Sequence, residues 1–86
     1  MAEKFRLRVV TPEEIFYEKE VQMTEFTTAE GRIGIYRDHA PLTAVLAPGV
    51  LRIHEGEAVR EAELISGLAR VEKEAVVLLA ETAKWR

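Results

Sequence analysis

Few residues of this chain are equipped for bond chemistry. His39 and His54 are its only imidazoles, and each stands alone in sequence. A zinc site would need further carboxylate ligands from scattered positions, without the short spacings that mark such sites. Both histidines therefore read as surface or hydrogen-bonded structural residues. Ser66 lies in Ile65-Ser66-Gly67-Leu68, which lacks the flanking glycines of a nucleophile elbow. No glycine-rich run ends in Lys-Ser or Lys-Thr, so no phosphate-cradling loop is expected. The carboxylate pairs Glu55/Glu57, Glu61/Glu63 and Glu72/Glu74 are spaced i, i+2, which on a half-buried strand places both members on the solvated face. Lys73 is the sharpest single candidate, because it sits between Glu72 and Glu74 at the tip of an expected hairpin. Small all-β carrier domains present a lysine for lipoyl or biotinyl attachment in such a turn. A solvated lysine that discourages edge-to-edge pairing fits the same place. No catalytic residue, cofactor or metal is expected, and the chain does not read as an enzyme.

The elements that hold these residues are strands. Phe5, Leu7 and Val9 alternate with Arg6 and Arg8, the pattern of a strand with an apolar and a basic face. Thr11-Pro12-Glu13-Glu14 has the composition of a helix start, yet no 3.6-residue apolar period follows. It reads as a turn into a second strand beginning at Ile15. Val21 to Thr28 reads as a third strand whose alternation breaks, Val21 and Met23 sharing one parity and Thr24 and Phe26 the other. Either a bulge near Gln22-Met23 turns Met23 outward and Phe26 inward, or Met23 fills a gap in the core. Pro48-Gly49 carries the signature of a type II turn with positive φ at the glycine. Leu42–Leu46 is compatible with one helical turn, and Glu81–Arg86 is helix-compatible but too short to hold a helix alone. Turn signals recur every 8–12 residues, as in an all-β sandwich or barrel. There is no repeat, linker or low-complexity tract, so one domain over residues 1–86 is expected.

Composition narrows the function further. A chain of 86 residues that is 48% hydrophobic is too apolar for a disordered segment. Cys 0 excludes disulfides and thiolate chemistry. Lys+Arg 12 against Asp+Glu 15 leaves no electrostatic footprint for nucleic acid. The longest apolar stretch, Ala75–Ala80, falls far short of the roughly 20 residues that span a bilayer. The opening MAEKFRLRVV alternates charge with apolarity, unlike a secretory leader, so the cytosol is the expected compartment.

The middle of the chain is more specific. Gly31-Arg32-Ile33-Gly34-Ile35-Tyr36-Arg37-Asp38-His39-Ala40-Pro41-Leu42, followed by Pro48-Gly49-Val50-Leu51-Arg52-Ile53, closely resembles the epsilon subunit of F-type ATP synthases. Leu7–Pro12 resembles that family's opening, Leu64–Val71 its glycine-containing hairpin strand, and Val76–Ala83 the segment that closes its sandwich. The departures are Ser66 and Leu68 beside Gly67, Arg32 at a position that is often acidic, and Arg37-Asp38 before His-Ala-Pro. The chain stops at Trp85-Arg86, where typical members continue into a C-terminal helical hairpin. A natural short form and a trimmed N-terminal domain are both compatible with that.

Periodicity and resemblance agree on a flattened β-sandwich of about eight to ten mostly antiparallel strands. The resemblance implies a non-catalytic central-stalk subunit, docked on the gamma subunit and on the c-ring at the cytoplasmic face of the membrane. It carries over Glu30, Gly31 and Arg32 in one loop and His39, Ala40, Pro41 and Leu42 in another as partner-binding residues. Members whose C-terminal helices restrain hydrolysis or bind ATP use a lever that Glu81–Arg86 is too short to supply, so neither property is expected here. A monomer is expected in isolation. The alternatives are the Lys73 carrier and a sandwich adaptor of another complex.

Overall fold

Burial follows the alternation read from the sequence. Phe5, Leu7 and Val9 are buried while Arg6 and Arg8 are exposed, and the same rule organises most of the chain. The computed structural model describes residues 3–86, and ten strands occur among them. They are β1 (Phe5–Val10), β2 (Ile15–Val21), β3 (Met23–Thr28), β4 (Gly31–Ile35), β5 (Leu42–Leu46), β6 (Gly49–Glu55), β7 (Ala58–Leu64), β8 (Gly67–Val71), β9 (Ala75–Ala80) and β10 (Ala83–Trp85). The hydrogen-bonded order is β10-β7-β6-β3-β5-β8-β9-β1-β2, with β4 on β3. All pairings are antiparallel except that of β1 with β9.

The sheet folds over at β3, which pairs with β6 through Met23–Glu25 and meets β5 only at Thr28 and Leu46. One layer is β10-β7-β6-β3-β4 and the other β5-β8-β9-β1-β2. Between them lies a core that includes Leu7, Val9, Val21, Phe26, Leu51, Ile53, Val71, Val76 and Leu78. Burial of such side chains is the main favourable term holding a chain this short together.

Four expectations need correction. Val21–Thr28 is not one strand. Val21 ends β2 opposite Phe5, and after Gln22 the chain switches layers to begin β3 beside β6. The broken parity marks that crossing, with Gln22 N–H donating to the His54 carbonyl at 3.1 Å. Phe26 is buried and Met23 lies on the outer face, over Gly34. Leu42–Leu46 is a strand, because β8 offers a full antiparallel ladder that one helical turn could not replace. Gly49 has no positive φ and opens β6. It must be glycine because a Cβ there would lie 2.5 Å from Thr27 Oγ1. Ala83–Trp85 forms β10 on the edge of β7, where three register pairs supply partners that an isolated turn of helix lacks. The Thr11–Glu14 turn is present and pinned, Thr11 N–H donating to the Glu14 carbonyl at 2.9 Å.

Candidate docking surface

The first expected loop is the tip of the β3–β4 hairpin. Thr28 Oγ1 donates to the Gly31 carbonyl at 2.7 Å and accepts from the Glu30 N–H at 3.2 Å, stitching the turn from inside. Gly31 closes it with φ +124°, a conformation costly for any residue with a Cβ. Backbone bonds from Ala29 N–H to Val45 O (2.9 Å) and from Ala47 N–H to Thr27 O (3.0 Å) brace the hairpin against β5. A shallow cleft of about 200 Å³ separates Thr28, Ala29 and Glu30 from Thr43, Ala44 and Val45. Glu30 therefore stands across the cleft from Thr43, the residue that follows Leu42. Arg32 is exposed but folds back along β3, its Nη1 donating to Thr27 Oγ1 at 2.9 Å. That leaves Glu30 as the charge at the tip.

The second loop, between β4 and β5, is tied to the β8–β9 turn. Asp38 N–H donates to the Lys73 carbonyl at 2.8 Å, and Arg37 reaches Glu74 at 3.4 Å. Asp38 takes φ +66°, which aspartate tolerates better than most residues. His39 Nδ1 donates to the Ala40 carbonyl at 2.7 Å. Ala40 and Pro41 are exposed, His39 is half-buried, and Leu42 turns against the core opposite Val71. Of the carried-over residues, Leu42 is thus a packing residue first. Lys73 is exposed at its turn, as expected.

The residues that sequence reasoning missed lie on the outer face of the β5-β8-β9-β1-β2 layer. Val45 pairs with Leu68, Leu68 with Leu79, Leu79 with Val10 and Val10 with Ile15, one apolar position from each of five adjacent strands. Val45, Leu68, Leu79 and Ile15 are 56%, 48%, 49% and 50% exposed. At about 4.8 Å per strand the row is roughly 19 Å long. Its apolar area is on the order of a few hundred Å², at the level where such patches carry function. Near its Val10–Leu79 part lies a hollow of about 320 Å³ lined by Val10, Thr11, Pro12, Gly67, Leu79, Ala80 and Glu81. Gly67, at φ +150°, lets β8 approach β9 so closely that a Cβ would sit 1.8 Å from the Leu79 carbonyl oxygen. The next row along the same face carries Thr43, Arg70, Val77 and Arg8. A signal was available in Ala75–Ala80, an uninterrupted apolar run whose outward parity holds Val77 and Leu79. A strand solvated on one face would alternate.

The opposite outer face is a charge ladder. Arg86 contacts Glu61 at 3.5 Å, Glu61 contacts Arg52 at 3.2 Å, Arg52 pairs in register with Glu25, and His54 Nε2 donates to Glu25 Oε2 at 2.9 Å. That bond, with Arg52 and Arg32 nearby, holds the Glu25 carboxyl below the usual carboxylate range. His54 is accordingly a hydrogen-bonded residue of this ladder. Among the described residues no three His, Asp or Glu side chains converge as a metal site would require.

Residues 4–86 match the model of the beta-sandwich domain of the ATP synthase delta/epsilon chain. The chain belongs to that family. It is similar to the ATP synthase epsilon chains of Alkaliphilus oremlandii (39% identical over 85 residues) and Alkaliphilus metalliredigens (34%), each alignment covering 99% of this chain and 63% of the relative. The chain therefore spans less than two thirds of the length of these family members. Its fold is shared with a chain of the Euglena gracilis mitochondrial ATP synthase in a structure of OSCP, F1 and c-ring, at TM-score 0.90 and 22% identity, covering 95% of this chain and 53% of the other. A chain of the Tetrahymena thermophila central stalk and c-ring structure superposes at TM-score 0.80 and 17% identity, covering 95% and 66%. The all-β sandwich expected from the sequence is thus the architecture of its family.

Proposed function

We propose that this domain is a non-catalytic rotor element of an F-type ATP synthase at the cytoplasmic face of the membrane. Its apolar row would seat on the gamma subunit, while the hairpin tip at Glu30–Arg32 and the loop His39–Leu42 would face the c-ring. The observation that carries this reading is the asymmetry of the two outer faces: one is internally charge-paired, while the other carries an apolar row across five strands that no described residue covers. Covering a few hundred Å² of apolar surface contributes on the order of 8 kcal/mol before the cost of association. That is enough to centre a non-slipping contact within an interface of standard size, about 800 Å² per partner. The stitched tip and the tied loop lose little freedom on docking. With Arg32 folded back, the tip presents Glu30 and suits a cationic or polar ring loop. The family match over residues 4–86 leaves the Lys73 carrier reading and the adaptor reading without support.

The test is a pull-down with gamma and c-ring preparations assayed separately. The double substitution L68D/L79D is expected to weaken gamma binding at least a hundredfold while the purified domain still melts cooperatively. Undiminished gamma binding by that variant would remove the row from the interface.

A further inference from the structure

We infer that β10 is a releasable clasp, closed in this structure, that locks the side mouth of the sandwich independently of the core. The two ends of the hydrogen-bonded order, β10 and β2, are free sheet edges in different layers. No ladder joins them among the described strands; side chains do. Phe16 of β2 stacks on Trp85 of β10 with ring centroids 4.5 Å apart and planes 27° apart. Tyr17 meets Trp85 edge-on at 5.9 Å. The Arg60 guanidinium of β7 covers the indole at 3.8 Å. Phe16 and Trp85 are only partly buried against the core.

What holds β10 is separable from what holds the layers. The strand is three residues long and pairs with β7 alone. Beyond it the Arg86 N–H donates to the Glu61 carbonyl at 3.0 Å, and exposed Arg86 ion pairs with Glu61 and Glu63 add little. The Glu81-Thr82 link is anchored from behind, by Glu81 N–H to Ser66 O at 2.7 Å and Ile65 N–H to Thr82 O at 3.3 Å, so a hinge lies between it and β10. Buried Tyr17 keeps its own tie to the other layer through the hydrogen bond it donates to Glu55 of β6. Letting β10 go costs three register pairs, the Arg86–Glu61 backbone bond and the indole's contacts with Phe16, Tyr17 and Arg60, while the Tyr17–Glu55 hydrogen bond continues to join the layers. A short edge element with few buried contacts belongs at the low end of a domain's local stabilities. Arg60 then acts as the latch, because its closest contact is the indole at 3.8 Å, against 5.7 Å to the Tyr17 ring and a loose 3.9 Å ion pair with Glu55.

Trp85 is the only tryptophan of the chain, so its emission reports the surroundings of β10, and release of the clasp is read as a change that comes before global unfolding. In a urea titration of the 86-residue chain, the Trp85 emission change is expected to precede the loss of far-UV circular dichroism. The Arg86 amide is expected to exchange at least tenfold faster than the amides of Leu51 and Leu78. R60A should move the fluorescence midpoint to lower urea and the dichroism midpoint by less, widening the gap. Coincident transitions in both the wild type and R60A, or an Arg86 amide as protected as that of Leu78, would overturn the clasp. Should R60A fail to fold, the wild-type exchange comparison decides alone.

Discussion

Along one outer face the side chains run Arg86, Glu61, Arg52 and Glu25, and along the other Val45, Leu68, Leu79, Val10 and Ile15. Both rows cross adjacent strands of one continuous sheet and both stand over the same core. The charged row is paired within the chain, each guanidinium meeting a carboxylate of the neighbouring strand. Among the described residues the apolar row has nothing to meet. Alternation decides which residues face outward, but what stands at those positions decides whether the face is finished or waiting. The proposed seat on the gamma subunit would finish the apolar one.

The comparison breaks most violently at Gly67. Replacing it with alanine forces a Cβ against the Leu79 carbonyl oxygen and holds φ at +150°, so β8 and β9 must part. We expect a loss of about 3 kcal/mol or more, a fall in melting temperature of roughly 15 °C, and a disrupted apolar row. Calorimetry checks it, and a near-native melt would show that the strands can shift without cost. The charged face offers the control for the apolar one. R52Q/E61Q should leave gamma binding within about twofold and cost at most about 1 kcal/mol, since partly exposed pairs contribute little. A large binding loss there would dissolve the distinction between the faces.

At the tip, E30K reverses the one charge left pointing outward. A drop in c-ring binding on the order of tenfold is expected, with little change for R32Q, whose guanidinium already lies against Thr27. Equal effects of the two would return Arg32 to the contact. The smallest effect concerns pH. Because folding lowers the Glu25 pKa, this carboxylate stabilises the domain above the ordinary carboxylate range, near 4.3, and the contribution is lost as pH falls through the lowered value. E25Q should flatten the acid limb of the stability profile, by a small amount because solvent screens the pair. Urea midpoints at pH 7 and pH 3 measure it; an unchanged slope would mean the ladder is electrostatically silent.

Most strands were legible because burial on one face leaves a period of two, as in Phe5-Arg6-Leu7-Arg8-Val9. What stayed hidden depends on pairings between distant residues. Val21 and Met23 share a parity yet sit in different layers, which no local pattern can express. Ala83–Trp85 is a strand only because β7 has a free edge beside it. The tip and the Asp38 loop came from motif resemblance, and the structure adds which side chains point out, demoting Leu42 and folding Arg32 away. The apolar row was the least legible feature, since its five members are scattered from Val10 to Leu79 and align only through the sheet.

The parallel pairing of β1 with β9 has a bearing on biosynthesis. Val10 and Leu79 are partners separated by 69 residues of chain, and Ile15 joins the row only through Val10. Contacts of such sequence separation form late, after the closure entropy of the intervening loop has been met. A chain whose β9 has not yet formed therefore holds the row in two separate pieces, Val10 with Ile15 and Val45 with Leu68. The full row exists only once the C-terminal strands have emerged and taken up β1, so the completeness of the row is itself a report that the domain has been made and folded.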